Sequence, residues 1–162
     1  MSDPKPLTTR RGAYFEEYEV GQTVISPGRT ATESDIVSFA GMSGDWNAIH
    51  TDAVAAAQGP FGRRVVHGLW GLSAAVGLVL RLGFMEETVI AFREMINWKF
   101  SLPIFIGDTI HVQATVSETR PVRRLGGGLV TLQAEIQNQD GKIVQHGEWV
   151  VLVKSQPDKE IP

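Results

Sequence analysis

Two rhythms of hydrophobic and polar positions divide this chain. From residue 89 onward, four long runs at 89–100, 109–119, 129–138 and 142–153 carry period-2 character, the pattern of strands that bury one face. Asp140-Gly141 lies between the last two runs and is a strong hairpin signal. Ahead of them, residues 68–82 are apolar nearly all round and stop at Gly83. That composition predicts a helix buried on every side. Gly71, Ser73, Ala74, Ala75 and Gly77 keep it thin, so another element can pack closely against it. It falls short of the roughly 20 apolar residues that a membrane-spanning helix needs.

The first part of the chain is choppier. Residues 24–32 read as a strand with an irregularity at Pro27-Gly28. Thr32-Glu-Ser-Asp35 has capping chemistry for a short helix that carries Ile36, Phe39 and Ala40 on one face. Gly41-Met-Ser-Gly44 is expected to break that helix, with a loop following through His50. Residues 51–58 predict another short helix, and Gly59-Pro60-Phe61-Gly62 a turn. Residues 1–12 and 155–162 are expected to be flexible ends around one domain, 13–154. One buried helix, four antiparallel strands after it and one strand before it predict an α+β domain. Its long central helix is wrapped by a curved antiparallel sheet of about five strands.

Composition narrows the function. The chain has 162 residues and a formal charge of -3, enough for one packed domain. No Lys/Arg block stands out, which argues against nucleic acid as a partner and offers nothing to a membrane surface. Cysteine is absent; disulfides, thiolate nucleophiles and cysteine-rich metal sites go with it, and a reducing, cytoplasmic setting fits. Residues 1–11 are polar with no apolar core, unlike a secretory signal.

The candidate chemistry lies in Phe39-Ala-Gly-Met-Ser-Gly-Asp-Trp-Asn-Ala-Ile-His50. On a helix, Asp45 and His50 would point roughly 140° apart; they converge only if the segment curls. Gly41 and Gly44 permit that, and Asn47 is a natural turn residue. The stretch Ser43-Gly-Asp45-x-Asn47-x-Ile-His50 resembles the hydratase motif of MaoC-like dehydratases and (R)-specific enoyl-CoA hydratases. It departs at Ala48, where that family usually has proline. Val65-Val66-His67-Gly68-Leu69 resembles the family's segment opening the central helix, and Phe100-Ser-Leu-Pro103-Ile-Phe-Ile-Gly107-Asp108 a later linking segment.

The resemblance implies a hot-dog fold and reversible syn hydration of a trans-2-enoyl-CoA to the (R)-3-hydroxyacyl-CoA. It implies that Asp45 and His50 hold one water and act as general acid–base partners. The Gly68 amide, at a helix N-terminus, is the candidate oxyanion donor, and Asn47 orients the loop or the water. No cofactor is implied, since coenzyme A is part of the substrate. A homodimer or an assembly of dimers is implied, which also hides a strand edge.

Other residues are weighed against plainer roles. His67 is read as anchoring the helix start by hydrogen bonding, against the alternatives of contacting substrate or orienting the loop. Ser73 is read as supporting, through a bond to the carbonyl a turn earlier. Trp46 lines the acyl tunnel or packs the loop. Arg63, Arg64, Arg120, Arg123 and Arg124 are candidates for coenzyme A phosphates against a solvated-loop alternative. His111 and His146 are read as structural or exposed. Asp45, His50 and His67 lack the spacing of a standard metal motif, and no metal site is expected. Two rival functions share the fold: an acyl-CoA thioesterase and a non-catalytic acyl-CoA-binding subunit.

Overall fold

The computed structural model describes residues 12–157. The expected flexible ends fall mostly outside that range. Where they enter it they are tied down: the Gly12 amide bonds to the Gly83 carbonyl, and the Ser155 amide to that of Gly126.

Four long strands dominate, β3 (Val89–Phe100), β4 (Thr109–Val122), β5 (Gly127–Gln137) and β6 (Ile143–Lys154). Two short ones, β1 (Thr23–Ile25) and β2 (Arg29–Thr30), precede them. The sheet runs β1-β4-β5-β6-β3 with β2 also on β4, and every pairing is antiparallel. The expected strand at 24–32 is thus two strands. Proline at 27 donates no ladder bond, and the Ser26 hydroxyl instead accepts the Val112 amide at 2.9 Å. Gly141 takes a left-handed φ of 72° in the β5–β6 turn.

The sheet wraps α4 (Gly68–Leu80). Trp70, Leu72, Ala75, Leu78 and Val79 of that helix are buried against Ile110, Val112, Val130, Ile136 and Trp149 of the sheet in one core. Burial on every side does not hold within this chain: Leu69, Ser73 and Gly77 form an exposed stripe one turn apart. The helix ends two residues earlier than the apolar pattern, at Leu80. The close approach it permits is seen at Gly71, where a Cβ would strike Gln145 Nε2 and come within 2.8 Å of Ile104 Cδ1.

Helix α1 (Glu33–Ser43) starts with a full capping box between Thr32 and Asp35. Gly41 does not break it. The break comes at Gly44, whose φ of 78° ends the helix in left-handed backbone. Two short helices follow, α2 (Ala48–Thr51) and α3 (Ala53–Ala57), the latter capped by the Asp52 carboxylate.

Candidate active site

The segment after Gly44 is held by side chains that bond their own backbone. The Ser43 hydroxyl donates to the Phe39 carbonyl at 2.7 Å and accepts the Asp45 amide at 3.2 Å. The Asp45 carboxylate accepts the Asn47 amide, and the Asn47 side-chain oxygen accepts the Ile49 amide, each at 3.2 Å. These bonds pin the four-residue link, 44–47, between α1 and α2. His50 therefore lies on the one-turn helix α2 that Asn47 caps, not on a loop. The 140° divergence of a continuous helix never arises, because Asp45 precedes the helix and His50 is inside it.

His50 is buried, and its Nδ1 lies 2.7 Å from the Val65 carbonyl. A carbonyl only accepts, so Nδ1 carries the hydrogen and the neutral ring keeps its lone pair on Nε2. That Nε2 faces Asp45 Oδ2 across 3.8 Å, beyond direct hydrogen-bond reach. Asp45 itself is half exposed. A cavity of about 520 Å³ is lined by His50, Gly68, Phe61, Phe100, Ile104 and Gln145, among others. Gly68 opens α4, and no described hydrogen bond occupies its amide. A Cβ there would come within 2.8 Å of the Phe100 ring, so glycine lets that ring lie over the helix end.

The other predicted residues divide. His67 Nε2 lies 2.9 Å from the Asp45 carbonyl, and its ring stacks on His50 with centroids 3.9 Å apart. Its side chain makes no cap to the helix start; the expected anchoring bond goes to the Asp45 loop instead. Ser73 is exposed and donates to the Leu69 carbonyl at 2.9 Å, away from Asp45 and His50. Trp46 is solvated and outside the cavity lining. Arg64 pairs with Glu33, whose carboxyl this hydrogen bond holds below its ordinary range. Arg63 stacks on Phe105 at 3.7 Å and lines a neighbouring cleft with Lys142 and Asp108.

Asp45, His50 and His67 each offer a donor atom within 4.8 Å of the others, a proximity that sequence spacing did not reveal. Their orientation suits stacking better than ligation. The two imidazoles lie 26° from parallel, so their in-plane lone pairs run alongside one another rather than converging. His50 Nδ1 and His67 Nε2 are bonded to carbonyls, which leaves His50 Nε2 and His67 Nδ1 as the ring nitrogens without such a bond among the described residues.

Sequence reasoning missed Gln145 and Phe100. Gln145 is 2% exposed on β6. It donates to the Gly68 carbonyl at 3.0 Å and accepts from the Trp98 indole at 3.3 Å. A glutamine within a strand run carries no signal of such burial, and Phe100, which ends its strand run and opens the linking segment that resembles the family's, carried no assigned role at the site.

Comparison with known proteins agrees with this geometry. The profile of the MaoC-like domain matches residues 16–138. Protein MaoC of Klebsiella aerogenes is 48% identical over 102 residues, covering 63% of this chain; the chain spans only 30% of that protein's length. An (R)-specific enoyl-CoA hydratase of Rhodospirillum rubrum is 34% identical over 141 residues, 86% of this chain and 91% of the relative. Among solved structures, a monoamine oxidase regulatory protein from "Archaeoglobus fulgius" superposes with a TM-score of 0.85 at 34% identity, covering 91% of this chain and 98% of the other. At the level of fold alone, a Mycobacterium tuberculosis protein described as a double hot-dog matches with a TM-score of 0.77 at 20% identity, over 93% of this chain and 47% of that one. With its helix wrapped by an antiparallel sheet and Asp45 facing His50 beside the helix N-terminus, the chain has the hot-dog fold and belongs to the MaoC-like domain family.

Proposed function

We propose that this chain is a hydro-lyase that adds water reversibly to trans-2-enoyl-CoA, giving the (R)-3-hydroxyacyl-CoA. The observation that carries the reading is Asp45 Oδ2 facing the free lone pair of His50 Nε2 across 3.8 Å, with His50 and Gly68 lining one cavity. The kinship to a relative named (R)-specific enoyl-CoA hydratase supports it.

Hydration of a conjugated thioester needs a base for water, a proton for C2 and a stabiliser for the charge that gathers on the thioester oxygen. An oxygen about 2.8 Å from both Asp45 Oδ2 and His50 Nε2 would subtend roughly 85°, an acceptable bridge for one water. In this reading His50 Nε2 takes a proton from that water as its oxygen adds to C3. Electrons pass to the thioester oxygen, where the Gly68 N–H at the positive end of α4 receives the charge. The imidazolium then returns the proton to C2, and Asp45 stabilises it in the interval. Both elements of water arrive from one side, hence syn. The cycle uses no cofactor or metal.

We further propose a homodimer or an assembly of dimers. Among the described strands β3 pairs on one side only, and Ile90, Phe92 and Met95 along it are partly exposed, an edge that a second copy would cover. No described helix is long and apolar enough to cross a membrane; with the cysteine-free sequence, a cytoplasmic setting fits.

The test is incubation with crotonyl-CoA and longer trans-2-enoyl-CoAs, following the enoyl-thioester absorbance and free thiol together. Absorbance loss without thiol release is expected. Thiol release would make the chain a thioesterase. Binding of acyl-CoA without turnover would make it a binding subunit.

A further inference from the structure

We infer that His67 is a positioning residue that registers all three working parts of the site: Asp45, His50 and the Gly68 amide. The inference rests on the hydratase reading. His67 is 2% exposed. Its Nε2–H donates to the Asp45 backbone carbonyl at 2.9 Å, which fixes the loop on which the carboxylate rides. Its ring stacks on the His50 ring, centroids 3.9 Å apart, and Phe39 packs 5.0 Å away. The His50 plane, and so the aim of Nε2, is set from two directions: by this stack and by the Val65 carbonyl. The His67 backbone completes the set. Its carbonyl accepts the Trp70 and Gly71 amides, which orients the His67–Gly68 peptide and therefore the Gly68 N–H.

His67 is not an acid or base of the reaction. Its Nε2–H is committed to a carbonyl, and its Nδ1 is buried without a partner among the described residues. A buried nitrogen without a partner is costly, and an apolar ring would fill the volume without that cost. What the imidazole adds over such a ring is the single N–H bond to the Asp45 loop. Sequence reasoning placed that bond at the helix start; the structure moves it 22 residues upstream in the chain.

Two substitutions separate the roles. His67→Phe keeps an aromatic ring against His50 and removes the donor; His67→Gln keeps an N–H of similar reach and removes the stack. With crotonyl-CoA, His67→Phe is expected to lower kcat about 10- to 100-fold, the scale of a misplacement near one ångström, with KM changed less than about threefold. His67→Gln is expected to recover part of that loss, because the donor to the Asp45 loop returns and the Val65 carbonyl still holds the His50 ring while the stack is gone. A folded His67→Phe with wild-type kcat would overturn the inference, as would a His67→Gln no better than the phenylalanine variant. Should the wild type itself hydrate no enoyl-CoA, the hydratase reading fails separately. Crystal structures of wild type and His67→Phe then decide the positioning claim: an Asp45 Oδ2–His50 Nε2 separation that widens in the variant supports it, and one that stays at 3.8 Å overturns it.

Discussion

Gly71→Ala tests whether the thinness of the central helix is structural. The new methyl would strike Gln145 Nε2 and lie 2.8 Å from Ile104 Cδ1. Neither neighbour can retreat easily: Ile104 is buried, and Gln145 is 2% exposed with its amide held between Gly68 and Trp98. Overpacking a filled site costs about 1–3 kcal/mol. Displacing Gln145 leaves the Gly68 carbonyl short of a donor, for about 1–3 kcal/mol more. Alanine returns about 1 kcal/mol through helix propensity. The net loss is then about 1–5 kcal/mol, a melting temperature lower by roughly 2–20 °C in a domain of this size. Gly41→Ala is the control, in a helix where a Cβ meets nothing within 4 Å; it is expected to stabilise by about 0.5–1 kcal/mol. The assay is thermal unfolding of the three proteins by circular dichroism at one fixed concentration. A Gly71→Ala protein as stable as wild type would refute the packing argument.

Other outcomes follow from the same contacts. Desolvation alone would raise the Asp35 carboxyl, but hydrogen bonds from Thr32 and the charge of Arg29 hold it below its ordinary range. A depressed folded value means stability that is present above the unfolded carboxylate range, near pH 4, and lost as pH falls through the folded value. The melting-temperature gap between wild type and Asp35→Asn should accordingly shrink as pH is lowered from about 6 toward 3, and a constant gap would count against this account. Trp149→Ala should cost about 3–5 kcal/mol in chemical denaturation, because this 2% exposed side chain packs against Trp98 and Phe92. Gly44→Ala forces a methyl into backbone at φ 78°, so a loss of about 1 kcal/mol is expected, with kcat falling as the Asp45 loop shifts.

Much of the fold was legible because its elements obey simple periods. The strands at 89–100 and 142–153 differ from the observed ones by at most one residue at either end, since alternation and the Asp-Gly turn set register together. Helix α4 was legible from composition, but its exposed stripe at Leu69, Ser73 and Gly77 was not. A residue's exposure depends on what the sheet leaves uncovered, which apolarity does not encode. Gly41 misled for a related reason: glycine lowers helix propensity without forbidding a helix, whereas Gly44 stops one by adopting left-handed backbone.

At the site, Asp45, His50 and Gly68 could be singled out by motif, and the structure brings His50 to face Asp45. The stack of His50 on His67 spans 17 residues of chain and left no trace in local pattern. Arg64 and Asp45 are both charged residues in irregular segments, yet only Arg64 has an ion-pair partner that engages it directly, in Glu33. Such partners depend on tertiary approach. Gln145 shows the same limit from the other side, as a polar strand residue turned inward to the start of α4.

The measurement that bears most directly on the central claim is a double-mutant cycle on crotonyl-CoA hydration with Asp45→Asn, His50→Ala and the pair combined. If the two side chains act on one water, each single change removes nearly the whole effect, and the combined variant is scarcely slower than either. Turnover near wild type in either single variant, or losses that simply multiply in the double, would contradict the account.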